Sequence, residues 1–220
     1  IVTVSELDQR IILNWDSQAV QQTENYRERG YEFQGYNVYQ LPSQSASKEE
    51  ARLIATYDII DEVKTIYGFE FDPRTGADEL TPVQFGTDSG IKRSLEIDND
   101  VLSGGIDLNN GSRYYYAVTT YSYNPDPLAV PNVLENPLSA VVAVPHSMNP
   151  GERLNANRGD QIEVVHEGNA DADVVVTVVD PTKVTGHDYE VFFTRQHYYL
   201  DNDGTWKETN FPDSIGKVLD

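Results

Sequence analysis

Aromatic and β-branched residues fill the segment 114–122, which directly follows an Asn-Asn-Gly turn. Side chains of a β-strand point to its two faces in turn, and residues of these types favour a half-buried pleated surface. The pattern therefore predicts one long strand. One face would carry Tyr114, Tyr116, Val118 and Thr120, and the other Tyr115, Ala117, Thr119 and Tyr121. We expect the rest of the chain to add strands to this one.

Tyr114 stands at the start of this strand, just past the turn at 109–111. A tyrosine in that place can bury its ring and direct its hydroxyl back at the preceding backbone, as in the tyrosine corner of immunoglobulin-like sandwiches. Leu108, in the approaching loop, is predicted to fill the core below it. Both residues are therefore predicted to have structural roles.

Further alternating runs predict additional strands before and after this one. In the clearest of them Ile11, Leu13 and Trp15 share a face, and Trp15 is expected near the centre of a core. The predicted strands are 1–4, 10–16, 33–39, 53–57, 93–98, 114–122 and 139–144, with a strand or a hairpin bent at Gly68 at 59–71. The segments 72–90 and 123–137 have the glycine and proline content of loops, and the polar segment 17–30 is predicted to be either a loop or one helical turn.

The segment 145–151 is typical of a linker, and the strand pattern starts afresh beyond it. Strands are predicted at 161–166, 173–179, 189–194, 198–200 and 205–208, with a hairpin turn at 201–204. The second of these is nearly all valine, which favours a central position in a sheet. Five strands are few for a sandwich. The predicted organisation is a first β domain at 1–146 and a second, smaller or incomplete β-rich domain at 147–220.

Three motifs resemble the B, C and F strands of fibronectin type III domains: the strand ending in Trp15, the strand with Tyr36-x-Val38, and the segment Leu108-x-x-Gly111-Ser112-x-Tyr114. Taken with Phe33-x-Gly35 and the segments 110–121 and 136–139, residues 1–146 resemble the fibronectin-type repeats of large secreted or surface proteins of Bacteroidetes-type bacteria. The interval 41–96 is longer than the family's connection between strands C and E, and indicates an insertion.

This resemblance implies an all-β, antiparallel sandwich located outside the cell or on its surface. The implied function is that of a non-catalytic structural or adhesive module of a large bacterial protein. Its first partners would be neighbouring domains of the same chain or other surface proteins. The residues that carry the resemblance, Trp15, Tyr36, Leu108 and Tyr114, are signals of core packing.

Charge narrows the range of partners. The 220 residues include 16 basic and 36 acidic ones, which gives a formal net charge of −20. Nucleic acid and anionic membrane surfaces both attract clustered Lys and Arg, so neither is expected as a partner. No apolar run reaches the length of a membrane span. Cysteine is absent, so no disulfide is expected.

Clustered carboxylates could hold a divalent cation, and Ca²⁺ prefers such oxygen ligands. The candidates are Asp98, Asp100 and Asp107, with the loop 72–78 as an alternative place for such a site. The run that begins at Asp201 fails the EF-hand pattern, since Thr205 and Pro212 occupy its fifth and twelfth positions. The four histidines have no metal-binding spacing. No other cofactor is predicted.

Nothing in the sequence indicates catalysis. Thr87-Asp88-Ser89-Gly90 is similar to an aspartic protease triplet, but it stands in a polar loop without a second copy. Arg158-Gly159-Asp160 matches the integrin tripeptide, and a turn explains its glycine. We therefore expect no enzyme.

Tyr39, Tyr115 and Tyr121 lie on strand faces opposite the predicted core, and aromatic rings there could bind glycans. An exposed aromatic row on one sheet would favour a carbohydrate-binding accessory module of a secreted hydrolase. A buried row would favour the structural module.

Overall fold

The chain is mostly β, with 43% of its residues in strands and ~3% in helices. The computed structural model describes residues 1–15, 22–151, 153–166 and 173–190, together with the backbone of three short strands at 198–200, 206–208 and 217–218. The chain divides into two compact units, Ile1–Arg153 and Leu154–Asp220. The predicted boundary between 146 and 147 lies a few residues before this division.

The first unit contains thirteen strands within its described residues. They are β1 (Thr3–Leu7), β2 (Arg10–Asn14), β3 (Arg27–Glu28), β4 (Tyr31–Leu41), β5 (Arg52–Asp58), β6 (Thr65–Asp72), β7 (Ala77–Phe85), β8 (Ser94–Ile97), β9 (Asn99–Asp100), β10 (Ile106–Asp107), β11 (Tyr114–Tyr123), β12 (Val133–Glu135) and β13 (Val141–Ala143). A single helical turn at 22–24 precedes β3.

All pairings among the described strands are antiparallel. One sheet has the order β1-β2-β8. The larger sheet is built on the pairing of β4 with β11, in which Val38 lies opposite Val118. On its other edge β4 pairs with β3 and β5, and β11 pairs with β12 and β13. The predicted strands at 10–16, 33–39 and 114–122 correspond to β2, β4 and β11.

Both sheets contribute side chains to one apolar core. The three-stranded sheet supplies Ile11, Leu13 and Ile97, and the larger sheet supplies Val38 and Tyr116, all of them buried. Trp15, directly after β2, stacks on Tyr57 with ring centroids 6.0 Å apart and packs at a steeper angle against Tyr36. Burying a large apolar side chain stabilises a fold by about 1.5–3 kcal/mol, and β2 buries both of its faces, since Ile12 is as fully buried as Ile11 and Leu13.

The segment between β5 and β8 contains an inserted hairpin, β6–β7. The prediction of a loop at 72–90 was wrong, because residues 77–85 form β7. The strands meet in a tight turn, where the N–H of Gly76 donates to the carbonyl of Asp72 at 2.8 Å and Gly76 has a φ of 71°. Pro82 is tolerated because it lies next to an irregularity in the strand register.

Gly68 does not bend β6, because the strand continues through it from Thr65 to Asp72. A Cβ atom at Gly68 would lie 2.7 Å from Oδ1 of Asn132 and 3.1 Å from the Val83 side chain. The glycine therefore permits close packing where the sequence predicted a change of direction.

The second unit has short two-stranded ribbons among its described residues. Its elements are β14 (Gln161–Ile162), β15 (Val176–Thr177), a 3₁₀ turn (Pro181–Lys183), β16 (Tyr189–Glu190), β17 (Tyr198–Leu200), β18 (Trp206–Glu208) and β19 (Lys217–Val218). The pairs are β14 with β15, β16 with β19, and β17 with β18. The valine-rich strand is not central, since β15 pairs only with β14 there and Val175 is 69% exposed. The predicted turn at 201–204 lies outside the described residues.

Candidate functional site

The four residues predicted to be structural lie in one core. Trp15, Tyr36, Leu108 and Tyr114 are all buried, and Leu108 has no exposed surface. The backbone N–H of Asn109 donates a hydrogen bond of 2.9 Å to the Tyr114 hydroxyl, which therefore points back at the preceding turn. The hydroxyl of Tyr36 donates to Glu24 at 2.8 Å. These groups hold the framework together and are not accessible to a ligand.

The three candidate metal ligands do not form a shared site. Across the part of the chain that the structure describes, no three His, Asp or Glu side chains are grouped so that they could hold a metal ion. Asp100 instead organises its own turn. Its carboxylate accepts hydrogen bonds from the Ser103 hydroxyl at 2.6 Å, the Leu102 N–H at 3.1 Å and the Gln40 amide at 2.7 Å. Burial opposes its ionisation, but these donors outweigh burial and lower the pKa of Asp100.

The tyrosines considered for a glycan-binding row are not exposed together. Tyr39 and Tyr121 are buried and Tyr115 is half-buried. Burial, reinforced by nearby carboxylates, raises the pKa of both buried tyrosines above the ordinary value. The far face of the larger sheet is covered, in part by Ala46, Ala51 and Leu138.

A polar cluster lies on this covered face, and we call its members Asn37, Thr56, Gln84 and Glu135 the amide network. The amides of Asn37 and Gln84 exchange two hydrogen bonds of 3.1 Å. The Thr56 hydroxyl donates to Asn37 at 2.8 Å, and Asn37 donates to Glu135 at 3.1 Å. Because buried polar groups are costly without partners, this mutual satisfaction fixes β7 against β4.

Glu135 is the charged member of the amide network. It also accepts hydrogen bonds from Tyr39 at 2.8 Å, from Thr119 and from Lys48. Burial opposes its ionisation, but the Lys48 ammonium and the other donors outweigh burial and hold its pKa below the usual range. An open surface pocket of about 370 Å³ lies beside this pair, lined by Ser47, Lys48 and Glu135 among others. Glu135 thus accepts hydrogen bonds from four side chains, which hold its carboxylate in place at the edge of the pocket.

The segment 87–90 has a structural role. Oδ1 of the buried Asp58 accepts hydrogen bonds from the N–H and hydroxyl of Thr87 and from the Asp88 N–H, at 2.7–3.0 Å. Asp88 in turn accepts from the N–H groups of Asp61 and Glu62, at 2.9 and 3.0 Å. The carboxylate of this triplet thus stabilises a loop, unlike the proton-sharing pair of a protease.

The Arg158-Gly159-Asp160 segment also forms an ordered turn. The Arg158 guanidinium donates to the carbonyl of Val179 at 2.7 Å, and Asp160 accepts from the Asn157 N–H at 2.7 Å. Gly159 has a φ of 85°, which glycine adopts readily. Arg158 and Asp160 therefore make hydrogen bonds to backbone groups of their own unit.

The inserted hairpin carries an exposed apolar surface, which we call the aromatic face: Tyr67, Phe69, Phe71, Leu80, Pro82 and Phe85. The rings of Tyr67, Phe69 and Phe71 are 53%, 50% and 65% exposed. They alternate along β6, so they share a face, and Leu80 and Pro82 lie opposite Phe69 and Tyr67 on β7. The alternation of Tyr-x-Phe-x-Phe could have shown that these rings share a face, but no local pattern indicates that this face lacks a cover.

The described part of the chain has no helix long and apolar enough to cross a membrane. No family model, curated protein or solved structure matches this chain.

Proposed function

We propose that the chain is a non-catalytic structural or adhesive module of a large extracellular or cell-surface bacterial protein, built on a fibronectin type III-like sandwich. In immunoglobulin-like sandwiches one sheet holds strands A, B and E and the other holds C, F and G. The sheet β1-β2-β8 and the strands β4, β11 and β13 supply candidates for these places. Tyr114, hydrogen-bonded to the turn before β11, supports the same assignment.

The single observation that carries the adhesive role is the exposed aromatic face. Soluble monomeric proteins rarely expose a contiguous apolar patch unless it meets a partner. Here the patch lies on the inserted hairpin. The polar side chains considered for a catalytic or metal-binding role instead make hydrogen bonds to other groups of the protein. Neighbouring domains of the same chain or other surface proteins are the proposed partners.

The alternative is a carbohydrate-binding accessory module of a secreted hydrolase. One observation favours it: an exposed aromatic row does exist, although it lies on the inserted hairpin and not at Tyr39, Tyr115 and Tyr121. Aromatic rings can stack on sugars as well as on protein. Binding on a glycan array that is lost on replacing Tyr67 by Ser would therefore favour this alternative.

A bead-retention assay tests the adhesive role. Beads coated with the whole chain are expected to be retained on surfaces coated with bacterial cell envelope. The double variant Phe69→Ser/Phe71→Ser should abolish this retention, because both rings are exposed and contribute little to the fold. A second set of surfaces is coated with polysaccharide. Retention on polysaccharide but not on cell envelope would favour the alternative, and retention on neither surface would overturn the adhesive role.

A further inference from the structure

We propose that the aromatic face binds an extended segment of a partner protein that alternates apolar side chains with Lys or Arg. This inference rests on the proposed adhesive function and adds the chemistry of the partner. It follows from the spacing of the rings, the way the hairpin is fixed, and the charge around it.

The rings are spaced for an extended chain. Alternate residues of a strand lie about 6.4–6.8 Å apart, so Tyr67, Phe69 and Phe71 form a regular row. A partner in extended conformation has the same period and can place every second side chain on this row. In the described part of the chain, β7 pairs only with β6. Its outer edge therefore has no strand partner there, and an extended segment could add to it.

The hairpin cannot bury these rings by turning over. On its opposite face Ile66, Gly68 and Gln84 are buried against the rest of the unit. The reciprocal amide bonds between Asn37 and Gln84 hold the base of the hairpin in that orientation. The amide of Asn132 adds a hydrogen bond of 2.7 Å to the carbonyl of Tyr67. The aromatic face is thus fixed outward before any partner binds, which lowers the entropy cost of association.

The charge of the hairpin selects a cationic partner. The two strands and their turn carry four carboxylates and one guanidinium, and Arg74 is already bound to Asp72 at 3.1 Å. The residues concerned are Glu70, Asp72, Arg74, Asp78 and Glu79. This excess disfavours a second copy of the same face, because like charges would meet. Of these carboxylates only Asp78 lies on the aromatic face, and Glu70, Asp72 and Glu79 lie on the opposite face of the hairpin. A segment added to the outer edge of β7 would place its apolar side chains beside the aromatic face and its alternate Lys or Arg side chains beside Glu79 on the other face.

The composition of the face favours protein over glycan. Phe69, Phe71, Leu80 and Phe85 present no hydrogen-bonding side chains, whereas a sugar needs such groups to fix its hydroxyls. Asp78, opposite Phe71, is a carboxylate at the tip. A partner with apolar and cationic side chains uses both features.

Titration with synthetic peptides tests the inference. The probe is an amidated ten-residue peptide that alternates Lys with Val, and its counterpart carries Glu in place of Lys. We expect the Lys peptide to bind the whole chain at least about tenfold more tightly than the Glu peptide, and binding to weaken with added salt. Phe69→Ser/Phe71→Ser should weaken binding of the Lys peptide at least about tenfold, as loss of central anchors does.

A matched control separates the aromatic face from general stickiness. Val165→Ser/Val175→Ser removes two exposed apolar side chains from the other unit and should leave binding unchanged. Asp78→Asn with Glu79→Gln should keep the rings and reduce both affinity and salt dependence. Circular dichroism and unfolding midpoints of every variant establish that the fold is retained.

Three results would overturn the inference. They are equal binding of the two peptides, binding insensitive to Phe69→Ser/Phe71→Ser, and sedimentation showing self-association through the aromatic face. If the coated beads are still retained through Phe69 and Phe71 while the Lys peptide does not bind, the chemistry proposed for the partner is wrong and the adhesive role stands. If the beads are not retained at all, the adhesive role itself fails.

Discussion

The side-chain amides of Asn37 and Gln84 donate a hydrogen bond to each other, each 3.1 Å long, and so join β4 of the larger sheet to β7 of the inserted hairpin. Both residues are buried, and their positions lie 47 residues apart in the chain. A two-stranded hairpin alone is marginally stable in water. This contact therefore helps to set the orientation of the aromatic face.

Gln84 both donates a hydrogen bond to the buried Asn37 amide and accepts one from it. Replacing Gln84 by Ala should remove both of these bonds. We expect the free energy of unfolding to fall by about 1–3 kcal/mol, the usual cost of an unsatisfied buried polar group. Cleavage in the turn at 73–76 by a protease should become faster. Urea unfolding and limited proteolysis measure the two effects. Thr81→Ala, on the same strand but with a solvent-accessible hydrogen bond, should cost less than about 0.5 kcal/mol.

Tyr114 and Tyr116 give a paired test of the strand that contains both. The Tyr114 hydroxyl accepts the N–H of Asn109, whereas the buried Tyr116 hydroxyl has no hydrogen-bond partner among the described protein groups. Tyr114→Phe should lower the free energy of unfolding by about 1 kcal/mol. Tyr116→Phe should leave it unchanged or raise it. Equal losses in the two variants would show that the bond to Asn109 does not stabilise the fold.

The alternation of side chains was sufficient to predict the central strands. β2, β4 and β11 have strong β propensity and short turns beside them, so local pattern and final structure agree. The sequence failed at β7, where Asp78, Glu79 and Pro82 are typical of a loop. Gln84, near the end of that strand, is bound to Asn37, and a contact between residues so distant in the chain cannot be read from the pattern of neighbouring residues.

The burial of Tyr39 and Tyr121 was equally hard to predict. Strand alternation shows that they lie opposite the main core, but it does not show what covers them. For Tyr39 the cover includes Leu138, which is distant in the sequence. For the same reason the sequence could not show which aromatic row stays exposed, although Tyr67, Phe69 and Phe71 alternate as clearly as the residues of β11.

Gly35 is predicted to be irreplaceable for reasons of space. A Cβ atom there would lie 2.5 Å from the Tyr57 carbonyl oxygen and 2.9 Å from both the Asp58 Cα and the Tyr121 ring. Gly35→Ala should therefore lower the free energy of unfolding by about 2 kcal/mol or more, because the backbone of β5 must move to make room for the added methyl group. A Cβ atom added at Gly111 would have no other atom within 4 Å. Gly111→Ala should lower the free energy of unfolding by about 1–2 kcal/mol, because a φ of 80° is unfavourable for alanine. Thermal unfolding compares the two variants, and the reverse order would contradict the packing explanation.

Glu135 should make stability depend on pH in the acid range. Its pKa in the folded protein is lowered by Lys48, Thr119, Asn37 and Tyr39 despite burial, so the ionised form favours the folded state. The stabilisation is present above the ordinary glutamate pKa of 4.5 and is lost as pH falls through the lowered folded value. Unfolding free energies measured from pH 7 down to about pH 3 should therefore fall in the wild type.

Glu135→Gln keeps the size of the side chain and removes its titration. The gap between wild type and this variant should be largest at neutral pH and shrink below about pH 4.5, as the wild-type carboxylate takes up its proton. Lys48 is 58% exposed, so water screens its share of the effect, and the buried donors should account for most of the gap. Asp107→Asn, which changes an exposed carboxylate, is the control and should follow the wild-type curve. A gap that stays constant with pH would mean that the charge of Glu135 does not stabilise the amide network.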